Sequence, residues 1–155
     1  MEKRQLVYRI VLTALTVIAI GFIFYHSSRD AVASSKDSVS VTELLNRLLR
    51  SLGLDVVLTD HVVRKTAHFA EYFLLGVLMT LTWLSYGVSG YRAFGCSAAA
   101  GLIVASIDEW SQRFAAGRSG ELRDVLLDVL GVVCAAALIA LIRYLRYRKG
   151  RTVHE

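Results

Sequence analysis

Proline is missing from all 155 residues. No helix of this chain can carry a proline kink, so its long apolar stretches are free to run straight. Cysteine is scarce: Cys96 and Cys134 are the two in the chain, and both lie inside apolar runs. Without a CxxC or any metal-ligand spacing they read as small buried hydrophobes, and they say nothing of the redox compartment. Charge is missing over whole helical lengths. The formal net charge of +5 comes from bases at the termini and beside the apolar runs. That placement fits juxtamembrane anchoring and argues against a nucleic-acid groove. No HExxH, nucleophile elbow or P-loop is present either, so those enzyme classes are not indicated.

What is there is length and hydrophobicity. A bilayer core about 30 Å thick is crossed by roughly 20 mostly apolar helical residues. Four stretches meet that requirement, about 8–26, 64–86, 93–111 and 122–144, with Gly87 and Gly90 marking the turn between the second and third. The expected fold is therefore an all-α membrane protein, a four-transmembrane-helix bundle forming a single domain over 1–155. Its partner is the lipid bilayer, and nothing in the pattern specifies an oligomeric state.

An even number of spans puts both termini on one side. That side collects Lys3, Arg4, Arg9, Arg92, Arg143, Arg146, Arg148, Lys149 and Arg151 against Glu2 and Glu155. The other side carries as many bases, matched by more acids. The tally of bases is a tie, and clustering breaks it: the terminal bases flank spans directly, which places both termini in the cytoplasm. The first span with Ala31-Val32-Ala33 after it has the outline of a signal peptide. Its apolar run is long for one, and the polar stretch 26–30 separates it from the small residues, so the span is expected to be retained.

The one long polar connection runs from 26 to 60. Residues 27–40, rich in Ser, Ala and Asp, read as a loop. Ser40 and Glu43 then form a capping-box signature, and Val39 and Leu44 are placed to staple the entry. Val41, Leu44, Leu45, Leu48, Leu49 and Leu52 recur at helical spacing, with Glu43, Asn46, Arg47 and Arg50 opposite, and Gly53 supplies the stop. This predicts a short amphipathic interfacial helix, about 40–52, lying on the outer leaflet or capping the mouth of the bundle; a helix packed on the bundle with no lipid role fits the same pattern.

A charge inside the membrane costs about 2.5–3.5 kcal/mol on insertion scales, so it usually faces protein. Here such charges are concentrated. Arg64, Lys65, His68, Glu71 and Tyr72 step by three and four from about one face of span two. Asp108, Glu109 and Gln112 close span three, and Asp124, Asp128 and Gly131 step along span four. Antiparallel connectivity brings all of these to one end, joined by a loop contributing Arg113, Arg118 and Arg123. A structural ion-pair network accounts for each member singly, Asp124 for instance as an acid favouring a helix start. It accounts less well for the set, because buried pairs barely repay their desolvation.

The stretch Arg64-Lys65-Thr66-Ala67-His68-Phe69-Ala70-Glu71-Tyr72-Phe73-Leu74-Leu75-Gly76 resembles the first motif of the VanZ-like membrane proteins. Asp108-Glu109-Trp110-Ser111-Gln112-Arg113-Phe114, then Gly117-Arg118-Ser119-Gly120, Asp124-Val125 and Gly131, resemble the second, and Ser27-Ser28 resembles the family's short serine motif. The chain departs from the pattern at Ala115-Ala116, where the family commonly has proline, and at Asp128, where it commonly has asparagine. The resemblance implies a polytopic bacterial membrane protein, and for the founding member an association with resistance to the glycopeptide teicoplanin.

Three functions compete. The first is an extracytoplasmic site that binds or modifies an anionic lipid or cell-envelope precursor, with Ser27, Ser28, Arg64, Lys65, Tyr72, Gln112, Arg118, Ser119 and Asp128 as candidate ligand contacts. The second is a membrane-embedded metal-dependent phosphoester or acyl-transfer enzyme. In it His68 is the acid or base, and Glu71, Asp108, Glu109 and Asp124 hold Mg²⁺ or Mn²⁺. The third is a small transporter relaying protons through His68, Glu71 and Asp108, or a purely structural membrane protein; no charge stripe runs through to the opposite side, as transport would require.

Overall fold

The computed structural model describes residues 2–28, 31–114 and 121–151, with side chains described for all of these except 31–38, 150 and 151. Among them are five helices: α1 (Glu2–Ser27), α2 (Ala31–Ser51), α3 (Asp60–Ser85), α4 (Gly90–Gln112) and α5 (Leu122–Arg151). The four expected spans fall on α1, α3, α4 and α5, which are long and apolar enough to cross a membrane. Continuous helix is what an apolar segment adopts there, because lipid leaves its backbone groups no partner but each other.

The helix ends follow from their terminal residues. Thr59 caps α3, its hydroxyl accepting from the Val62 N–H at 3.4 Å. Gly87 has φ +82°. Its N–H donates to the Leu84 carbonyl at 3.0 Å and the Val88 N–H to the Trp83 carbonyl at 3.1 Å, the paired bonds that end a helix at a left-handed residue. Gly53, with φ +75°, ends α2 in the same way through Arg50 and Leu49.

Helices α3 and α4 pack on one another and on α5 and α1, while α1 and α5 lie on opposite sides of them without touching among the described residues. Polar pins fix the antiparallel register. At one end Arg9 Nε donates to the Ser85 carbonyl at 2.8 Å, and Thr16 and Thr82 hydroxyls lie 3.1 Å apart. A turn further in, Thr80 donates to Ser97 at 3.0 Å. The core beyond them comprises Ile23, Tyr72, Leu75, Met79, Val104, Ala105, Val125 and Val132.

Small residues let the backbones close. A Cβ on Gly76 would lie 2.7 Å from Val132 Cα, one on Gly131 2.8 Å from the Phe69 carbonyl oxygen, and one on Gly101 2.8 Å from Val132 Cγ2. Lipid tails give apolar helices no hydrophobic reason to associate, so such close van der Waals packing carries the association.

Three expectations are corrected. First, α2 begins at Ala31, so Ser40 lies inside a helix and caps nothing. Val39 and Leu44 are both exposed and form no staple. No Gly or Pro interrupts 31–51, and a serine starts a helix only where the chain before it is not already helical. Second, Asn46 turns inward beside Thr42. Its Nδ2 donates to the Leu58 carbonyl at 3.0 Å and its Oδ1 accepts the Leu58 N–H at 2.8 Å, tying α2 to the entry of α3. Third, Cys96 and Cys134 are exposed, on faces where a small apolar side chain costs nothing against lipid.

Candidate functional site: a buried polar cluster

The end of the bundle away from both termini is built from the last turn of α1, the first turns of α3 and α5, and the last turns of α4. His68 stands eight residues into α3, about 12 Å along its axis, and Asp128 six residues into α5, about 9 Å. These groups therefore lie below the helix ends.

Asp108 is fully buried at the centre. Its Oδ2 accepts from the Ser27 hydroxyl at 3.0 Å and from Gln112 Nε2 at 3.3 Å, so the short serine motif and the second motif meet on one carboxylate. Tyr72 is fully buried beside it. Asp128, 1 % exposed, has no hydrogen-bond partner for either carboxylate oxygen among the described residues. One ligand-type atom each from His68, Asp108 and Asp128 lies within 4.8 Å of the others. Gly131 makes this meeting feasible, since α5 there touches the backbone of α3 at Phe69 and Phe73.

The remaining acids are engaged around this centre. Glu109, 4 % exposed, accepts the Glu121 N–H at 2.6 Å and so ties the end of α4 to the start of α5. Glu71 lies 3.3 Å from His26 Nδ1, and the His26 ring stacks on Phe22 at 5.9 Å. Lys65 pairs with Asp124 across α3 and α5. Arg64 is half-buried, while Arg113 and Arg123 are exposed. Bases, with Asp124 and Glu121 among them, therefore form a rim above the buried acids Asp108, Glu109 and Asp128.

The proposed metal set of Glu71, Asp108, Glu109 and Asp124 is thus divided among separate partners, and Asp108 is grouped instead with His68 and Asp128. Ser27 reaches the cluster; Ser28 donates to its own helix at the Tyr25 carbonyl and is exposed. Arg118 and Ser119 lie outside the described residues. His26 was not singled out by its sequence context, where it reads as the polar edge of a span. Its signal was the four-residue step from Phe22 together with its place beside Ser27. The opposite end of the bundle differs in kind: an apolar crevice of about 530 Å³ opens there between α3, α4 and α5, lined by Leu84, Tyr91, Phe94, Ile139 and Tyr144 with Arg143 at hand.

Four apolar helices, with the buried ionisable side chains of the described residues gathered at one end, define a polytopic membrane protein. The chain belongs to the VanZ/LLP1 family, whose sequence pattern matches residues 11–143. No curated protein and no solved structure matches it.

Proposed function

We propose that the polar end of the bundle binds or modifies an anionic lipid or cell-envelope component on the extracytoplasmic side, with altered sensitivity to teicoplanin-type glycopeptides as one consequence. The observation that carries this is the layering of charge: Arg64, Lys65, Arg113 and Arg123 at the rim, and a buried floor around Asp108 and Asp128. Rim arginines present the planar fork that suits phosphate and carboxylate, while a floor below the helix ends excludes bulk water. Packing supports the reading as well, because the apolar core and the Gly76–Val132 contact hold the helices together largely without these charges.

The test is a matched measurement of membrane level and teicoplanin sensitivity in a strain that depends on the protein. Lys65→Ala, Arg118→Ala and Glu71→Gln are expected to abolish the phenotype while membrane abundance stays near wild type. Parallel loss of both in all three would assign the charges to scaffolding, since removing one partner of a buried pair costs about 3–5 kcal/mol. Chemical change of a bound lipid by the purified wild type would move the reading to the metal-dependent transferase or phosphoesterase.

A further inference from the structure

We propose that His68, Asp108 and Asp128 hold a divalent metal ion of the Mn²⁺ or Zn²⁺ class in the floor of the polar end. The inference extends the ligand reading above but does not depend on which lipid, if any, occupies the rim.

Three observations converge. The donor atoms of these side chains, one from each of α3, α4 and α5, lie within 4.8 Å of one another. Ligands on an octahedral ion about 2.1 Å away stand roughly 3–4 Å apart, so small side-chain movements suffice. Next, Asp128 is 1 % exposed, and both of its carboxylate oxygens lack a hydrogen-bond partner among the described residues. Buried carboxylates are ordinarily satisfied by donors or by a cation, and no donor on the described residues reaches this one.

Charge gives the third. Glu71, Asp108, Glu109, Asp124 and Asp128 share this end with Lys65, which pairs with Asp124, and with His26 and His68. Arg64, Arg113 and Arg123 stand at the rim, so it is within the buried floor that acids outnumber cations, and a divalent ion on the two buried aspartates would redress the balance there.

The supporting contacts suit a ligand. Ser27 and Gln112 hold Asp108 Oδ2, which fixes the carboxylate's orientation as outer partners of metal ligands do. An imidazole with two carboxylates favours Zn²⁺ or Mn²⁺ over the all-oxygen preference of Mg²⁺ or Ca²⁺. Three protein ligands would also leave coordination positions to be filled by water or by a phosphate oxygen of a lipid.

The experiment uses the full-length protein in detergent, stripped with chelator and then exposed to Mn²⁺, Zn²⁺ or Mg²⁺ alone, with no lipid added. Bound metal is counted by mass spectrometry after desalting, and unfolding is followed through Trp83 and Trp110. We expect wild type to retain about one Mn²⁺ or Zn²⁺ per chain and to melt higher with it, with Mg²⁺ much less effective. Asp128→Leu and His68→Gln are expected to retain roughly a tenth or less, and Ser27→Ala to weaken binding by about tenfold. Asp55→Asn, at an exposed position outside the cluster, is expected to bind like wild type. Should either ligand variant fail to fold, titration of wild type alone still decides. No stoichiometric metal on wild type, or wild-type retention by Asp128→Leu, overturns the site; the first result would assign Asp108 and Asp128 to a pair sharing a proton. Because no lipid is present, either failure leaves the rim reading to its own test.

Discussion

At the scale of single residues, the glycines discriminate most sharply between packing and filler. Gly76 and Gly131 each stand where a methyl would strike backbone of a neighbouring helix, whereas Gly21 and Gly95 have nothing within 4 Å. Overpacking costs about 1–3 kcal/mol, against a gain of about 1 kcal/mol for replacing helical glycine by alanine. Gly76→Ala and Gly131→Ala should therefore lower the unfolding midpoint in detergent, while Gly21→Ala and Gly95→Ala should leave it unchanged or raise it. Equal behaviour of the four would show that the α3–α5 contact is looser than described. The same glycines explain what was not legible in the chain alone. Spacing places His68 and Asp128 on polar stripes of their own helices. Which carboxylate a stripe meets depends on how far each helix is rotated, and that is set by contacts such as Gly131 against Phe69, between residues far apart in sequence.

At the scale of elements, the four spans were legible because length and hydrophobicity suffice to specify a helix in lipid. The boundaries of α2 were not. A capping box reads identically whether the chain before it is loop or helix, and here helix already runs from Ala31. The finished element has two unlike faces: Thr42 and Asn46 turn inward, while Val41, Leu44, Leu48 and Leu52 form an exposed row. An exposed row of this kind on a helix too polar to span is suited to the headgroup boundary. With Cys96 and Cys134 replaced by alanine, a fluorophore on Leu44→Cys or Leu48→Cys in liposomes should be quenched strongly by lipids carrying a nitroxide near the headgroup. The same label on Glu43→Cys or Arg47→Cys should be quenched weakly. Equal quenching on the two faces would place α2 off the membrane, held only through Asn46 and α3.

At the scale of the whole molecule, the asymmetry between the two ends gives orientation its meaning. One end holds the buried acids; the other holds Arg9, Arg92, Arg143, Arg146, Arg148 and Lys149. Helix α5 continues to Arg151, eight residues past Arg143, about 12 Å of further rise, so its last bases stand along a continuous helix leaving the apolar zone. Clustered bases next to spans are retained in the cytoplasm, whereas acids weigh little in that preference. The polar end is then expected to face outward. In intact cells expressing the cysteine-free protein with Asp55→Cys, a membrane-impermeant maleimide should label that position directly. With Lys149→Cys instead, labelling should need permeabilisation. The converse pattern would turn the bundle over and set the rim of Arg64, Lys65 and Arg123 against the inner leaflet. The envelope ligand would then give way to a cytoplasmic one, and a link to an externally acting antibiotic would lose its physical basis. The floor would be unaffected by that reversal, since the grouping of His68, Asp108 and Asp128 depends on helix packing and not on which compartment the rim faces.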